Sequence, residues 1–202
     1  VERCLPDHYI QAIGSGTGGI AAWEAAQRLV AAGIGHRLPR LHLAQNAPFS
    51  PIHAAWSDRA SDLHEADEPT QIAQIAQIDA LVLANRNPPY AVPGGVYDAL
   101  HATDGFTYAA TNNEARSAAR LFEEREGLPI GPAPAVAVAA LRQAVNRGDI
   151  GPNDKVLLHV TGNNEALIQR DHALHAIEPS VRIDPKDLSS KALMDLGSIL
   201  LR

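Results

Sequence analysis

Cysteine is all but absent from the chain: Cys4 is the only one in 202 residues. A lone thiol forms no internal disulfide framework, so a reducing cytoplasm is the expected setting. Cys4 itself reads as a buried, inert thiol rather than a reactive one. Lysine is nearly as scarce, with Lys155, Lys186 and Lys191 as the whole supply. There is no excess of positive charge. The formal net charge is −6, which predicts no nucleic-acid partner and no attraction to an anionic membrane surface. No apolar run approaches the roughly 18 residues of a membrane span. The first residues do not read as a signal peptide. The chain starts at Val1 rather than at methionine, as expected of part of a longer protein or of a processed one.

What is present reads as an ordinary folded domain. Apolar residues make up 46% and charged residues 20%. The length suits one α/β domain or two small ones, and no linker, repeat or low-complexity segment divides it, so a single domain over 1–202 is expected. Tyr9 to Ile13 reads as a short buried strand running into glycines. Ile20 to Ala32 is helical, with Gly33 closing it. Pro39 to Ala44 is a second strand, and Pro51 to Ala60 a helix that Ser50 would cap. The acidic run Glu65, Asp67 and Glu68 reads as a solvated loop. Gln71 to Leu83 is apolar with mixed period. Asn85 to Gly95 is a Pro/Gly-rich loop, long enough to be functional. Val96 to Ala102 is a short helix and Phe106 to Ala110 a strand. Thr111 and Glu114 have the spacing of a capping box for a helix that Gly127 ends. Pro134 to Asn146 is another helix. Lys155 to Val160 reads as a strand buried on both faces of a parallel sheet. From Asp171 the chain is polar and less regular. Strands alternating with helices predict a three-layer α/β fold, its sheet mainly parallel with helices on both faces.

Ligands of such sheets bind at the carboxyl ends of strands. Two loops there have suitable chemistry, residues 14–19 and 161–164. In Gly14-Ser15-Gly16-Thr17-Gly18-Gly19 the glycines let backbone N–H groups approach an anion. The following helix adds the positive end of its dipole, and Ser15 and Thr17 add hydroxyls. Gly14, Gly16 and Gly19 also satisfy G-x-G-x-x-G, the dinucleotide fingerprint. That fingerprint needs an acid at the end of the next strand, and Ala44-Gln45-Asn46 supplies none. An NTP P-loop fails for want of its lysine. An anion cradle is the reading, with a tight turn holding no ligand as the alternative. Thr161 is either a ligand contact or a simple strand-end cap. Among nine histidines, His172 and His175 share a helical spacing, but no further ligand completes a zinc site, so no metal is expected. His159 reads as a satisfied core histidine. Asn85, Asn87 and Tyr90 would line a substrate entrance or form a structural turn.

The ordered runs YIQAIGSGTGGIAAWEA, NRNPPYAVPGGVYDAL, EGLPIGPAPAVAVAAL and DKVLLHVTGNN resemble the fold-type II pyridoxal-phosphate enzymes. These include threonine synthase, O-acetylserine sulfhydrylase and cysteate synthase, and the likeness to cysteate synthase is the greatest. It extends from Tyr9 to about Asn164. The resemblance implies pyridoxal 5′-phosphate as cofactor, with Gly14, Ser15, Gly16, Thr17, Gly18 and Gly19 holding its phosphate. Thr161 matches the Ser/Thr hydroxyl that faces the pyridine nitrogen. A hydroxyl there leaves the nitrogen neutral, which suits β-elimination and replacement.

The resemblance also implies a Schiff-base lysine before the glycine loop. Only eight residues precede Tyr9, and none is lysine. The chain is therefore expected to be the C-terminal part of a larger enzyme, inactive alone, with the catalytic lysine in a missing N-terminal part. The implied reaction is elimination of phosphate from O-phosphoserine and addition of sulfite, giving cysteate. Threonine formation from O-phosphohomoserine is the alternative within the family. A non-catalytic module that binds a phosphorylated ligand is the alternative outside it. The family implies an amino-acid substrate and a homodimer. Two departures bear on the substrate: Gly131 stands where the family usually carries an acid, and Gly162-Asn163-Asn164 lacks the further glycines of cysteate synthase.

Overall fold

A computed structural model describes residues 4–162 and, beyond them, positions 168, 173, 178, 179 and 182. Asn163, Asn164, His172, His175, Lys186 and Lys191 lie outside the described residues. Internal contacts divide the chain into two compact units, Val1–Glu165 and Ala166–Arg202, and every element below belongs to the first.

Four strands, β1 (His8–Ala12), β2 (Arg40–Asn46), β3 (Phe106–Ala110) and β4 (Val156–His159), form one sheet in the order β3-β2-β1-β4. Every pairing is parallel. Helices α1 (Thr17–Ala31), α2 (Pro51–Ser57) and α4 (Val96–Ala102) cover one face. Helices α5 (Asn112–Glu126) and α6 (Pro132–Arg147) cover the other. The three-layer α/β fold is as predicted. Alternate residues of a strand serve opposite layers, so Leu41 and Leu43 pack toward α2 and α4 while Ala44 packs toward α6. The alanines of α6 let it lie close to the sheet, and nine of its residues are buried.

Local signals in the sequence account for most boundaries. Thr111 and Glu114 form the capping box at α5: Glu114 N–H donates to Thr111 Oγ1 at 3.3 Å and Thr111 N–H to Glu114 Oε2 at 2.8 Å. Gly127 and Gly148 end α5 and α6 in left-handed conformation. The acidic run is not all loop. Asp67 caps α3 (Glu68–Ile75) by accepting Thr70 N–H at 2.9 Å, and Glu68 opens it, where a carboxylate meets the positive end of the helix dipole. The mixed segment after it is the end of α3 and a 3-10 turn, Leu81–Leu83.

The expectation that the last strand is buried on both faces is corrected. Among the described residues β4 is one of the two edge strands, and Leu157 is 47% exposed. Cys4 is also exposed rather than buried; Lys155 Nζ lies 3.5 Å from its sulfur. No helix among the described residues is long and apolar enough to cross a membrane.

A polar chain crosses the sheet. His8 Nδ1 lies 2.8 Å from His42 Nε2, and His42 Nδ1 lies 2.8 Å from Tyr108 Oη. Tyr108 donates to Asp149 Oδ2 at 3.1 Å, and His8 Nε2 is 3.1 Å from Asp154 Oδ2. His42 is fully buried. Burial, then the nearby charges of His8 and Arg40, lowers its pKa to about 3. Burial, then Asp149, pushes the Tyr108 phenol up.

Candidate functional site

The strand order reverses at β1. From β1 the chain steps through β2 to β3, then returns to place β4 on the other side of β1. At such a switch point the connections leave the neighbouring carboxyl ends in opposite directions and open a crevice. The glycine loop leaves the end of β1, and Thr161 stands two residues beyond the end of β4. The structure thus brings the glycine loop and Thr161, the described start of the second predicted segment, to one switch point.

Backbone geometry explains the glycines of the loop. Gly16 has φ +83°, and a Cβ there would stand 2.4 Å from Val96 Cγ2. At Gly18 a Cβ would stand 2.4 Å from Gln11 Nε2, and at Gly19 2.9 Å from Leu43 Cδ2. These contacts let α1 start close against β1 and β2. Gly16 gives the helix no side-chain cap, and its first turn carries no acidic residue. The N-terminal N–H groups and the positive dipole end therefore face outward without a built-in anion. Ser15 Oγ and Thr17 Oγ1 lie 2.9 Å apart, and Thr17 N–H donates to Ser15 Oγ at 3.3 Å. The hydroxyls are held together at the mouth of the loop.

The side chains at the end of β2 are largely committed elsewhere, although Gln45 Nε2 is buried without a hydrogen-bond partner. Gln45 Oε1 accepts His53 N–H at 3.0 Å. Asn46 accepts Ala80 N–H at 3.0 Å and donates to Ala110 O at 2.9 Å and Asn112 Oδ1 at 3.0 Å. Neither carries the charge that a ribose diol needs. A cavity of about 360 Å³ lies beside Gly162, bounded by Leu81, Val82, Gly131 and Pro134. A larger one, about 500 Å³, lies against His8, Asp149 and Asp154, on the polar chain and away from the glycine loop.

Tyr90 does not line an entrance. Its ring is buried, and its hydroxyl donates to Ala60 O at 2.9 Å. Asn85 Oδ1 accepts Asn87 N–H at 2.9 Å, the turn that was the alternative. His159 is half-buried and 2.6 Å from Tyr9 Oη. Sequence reasoning took Tyr9 and Gln11 as strand residues only. Their spacing puts both on one face of β1, the one signal that could have singled them out. Among the described residues no cluster of His, Cys, Asp or Glu could hold a metal ion.

A family described as pyridoxal-phosphate dependent enzymes matches residues 2–162. A cysteate synthase of Methanoculleus marisnigri is 54% identical over 181 residues, which is 89% of this chain and 42% of that protein. One of Methanoregula boonei is 49% identical over 195 residues, 96% of this chain and 46% of that protein. The chain spans less than half the length of these relatives. In fold it is similar to a serine racemase from Dictyostelium discoideum, with TM-score 0.56 and 18% identity, over 79% of this chain and 44% of that one. It is also similar to an L-serine ammonia-lyase from Rhizomucor miehei, with TM-score 0.55 and 14% identity, over 82% and 48%.

Proposed function

The chain belongs to the pyridoxal-phosphate dependent enzyme family, and from that premise we propose that it is the cofactor-holding part of a cysteate synthase-like enzyme. The observation that carries this is the position of residues 14–19 and Thr161 on either side of the switch point. The family's cofactor is pyridoxal 5′-phosphate. The loop fits its phosphate: α1 starts at Gly16 with no side-chain cap and no acidic residue in its first turn, and the Ser15 and Thr17 hydroxyls lie 2.9 Å apart at that start.

In this reading the amides of residues 14–19 and the Ser15 and Thr17 hydroxyls bind the phosphate. Thr161 presents a hydroxyl to the pyridine nitrogen. A carboxylate at that position would hold the nitrogen protonated, whereas a hydroxyl leaves it neutral. When bound, the cofactor supplies an electron sink for the amino-acid carbon next to the one that loses its leaving group. In this reading the chain is one part of the parent enzyme, in keeping with its coverage of 42% and 46% of the relatives' length. The lysine that moves the substrate proton lies in the remainder of that enzyme, and the chain alone is inactive. The similarity to cysteate synthases supports cysteate as the product, and O-phosphoserine and sulfite are the substrates that the family resemblance implies.

The intact enzyme, given O-phosphoserine, sulfite and pyridoxal 5′-phosphate, is expected to release phosphate and form cysteate. Phosphate release from O-phosphohomoserine alone would replace this with the threonine synthase reading. Turnover by the 202-residue chain alone would overturn the assignment of the lysine to another part. Failure of the chain to bind the cofactor at all would overturn the cradle.

A further inference from the structure

The two halves of the proposed site hang on neighbouring strands, and one set of side chains ties these strands together just behind it. Tyr9 Oη donates to Gln11 Oε1 at 3.1 Å. His159 Nδ1 lies 2.6 Å from the same hydroxyl. His159 is the register partner of Gln11 on β4 and stands two residues before Thr161. Gln11 in turn lies against the first turn of α1, where its Nε2 is the atom nearest to a Cβ built on Gly18, at 2.4 Å. The contacts therefore run without a break from the glycine loop through Gln11, Tyr9 and His159 to the strand end that carries Thr161.

The proton count gives this network a direction. A phenol has one proton. With that proton on Gln11 Oε1, His159 must donate from Nδ1–H to the Tyr9 oxygen, which sets its tautomer. The Gln11 carbonyl is then occupied, and its whole amide lies against Gly18, Nε2 and Oε1 at 2.4 and 2.6 Å from a Cβ built there. Burial raises the Tyr9 pKa, so the phenol keeps its proton at neutral pH.

We propose that Tyr9, Gln11 and His159 are positioning residues that set the spacing between the phosphate cradle and Thr161; this rests on the reading of the site given above. A ligand that carries only a phosphate meets the cradle and is indifferent to the spacing. A ligand that carries both phosphate and pyridine ring meets both ends.

Isothermal titration of the 202-residue chain with inorganic phosphate and with pyridoxal 5′-phosphate separates the two. Tyr9→Phe and His159→Leu are expected to bind phosphate within about twofold of wild type, which also reports an intact fold. Each should weaken pyridoxal phosphate about tenfold, the scale of one or two lost hydrogen bonds. His159→Asn puts an amide N–H where Nδ1–H stood and should recover most of that loss. Equal loss of both ligands would make the network a support of the fold only and overturn the proposal. So would pyridoxal phosphate binding at wild-type strength in Tyr9→Phe and His159→Leu, or no recovery in His159→Asn. A wild-type chain that binds neither ligand overturns the reading of the site, and the inference with it.

Discussion

Lowering the pH from 7.5 to 5.0 should cost this fold about 2 kcal/mol through His42 alone. The ring is fully buried between His8 and Tyr108, and burial, then His8 and Arg40, lowers its pKa to about 3. In the unfolded chain a histidine titrates near 6.5. The folded value lies below the unfolded one, so the neutral ring contributes stability above about pH 6.5 that is lost as pH falls toward 3. Between pH 7.5 and 5.0 the unfolded chain gains nearly one proton that the folded chain refuses. Integration over that interval gives about 2 kcal/mol. The window lies above the range where unfolded carboxylates titrate, so they add little. Burial, the first of several causes, also lowers His53, which acts in the same direction. A single stability curve therefore does not isolate His42. Urea unfolding of wild type and His42→Gln at the two pH values does, because every other group appears in both proteins. The stability difference between pH values should be about 2 kcal/mol larger for wild type than for the variant. A gap below about 0.5 kcal/mol would refute the buried, neutral state of His42.

Two other perturbations test the site and the frame around it. Gly16→Ala adds a Cβ at φ +83°, 2.4 Å from Val96 Cγ2. It should cost at least about 1 kcal/mol in urea unfolding and weaken inorganic phosphate binding about tenfold or more; unchanged phosphate affinity would count against the cradle. Thr111→Ala removes the acceptor of Glu114 N–H at the start of α5 and should cost about 1 kcal/mol in urea unfolding, whereas Thr111→Ser, which keeps the hydroxyl, should cost far less.

The parts of the fold that could be read from the sequence are those with local causes. Gly16 is needed by its own backbone, at φ +83°, and that much was visible from residue type, whereas the contacts that bar a side chain at Gly14, Gly16 and Gly19 come from Leu83, Val96 and Leu43, far along the chain. The Thr111–Glu114 box, Gly127 and Gly148 also have local causes. Asp67 had a local cause too, but its neighbours Glu65 and Glu68 made it read as bulk charge rather than as a cap. What escaped has non-local causes. The exposure of Leu157 depends on β4 being an edge, and strand order leaves no mark on a segment. His8 and His42 are 34 positions apart and meet only because β1 and β2 pair. The carboxyl-end rule pointed to residues 14–19 and 161–164 from the alternation of elements. That the glycine loop and Thr161 follow neighbouring strands, at the point where the strand order reverses, comes from the return of the chain from β3 to β4, which only the structure contains.

The edge position of β4 has a practical side. Among the described residues nothing pairs with its outer flank, and Leu157 on the strand and Val160 just past its end are both exposed. A row of open N–H and C=O groups beside apolar side chains is a template for pairing between molecules. Self-association of the isolated chain would follow its concentration, and Glu or Lys at Leu157 would act as a gatekeeper without touching the glycine loop. Purified material should accordingly be checked for dispersity before any titration is read as binding.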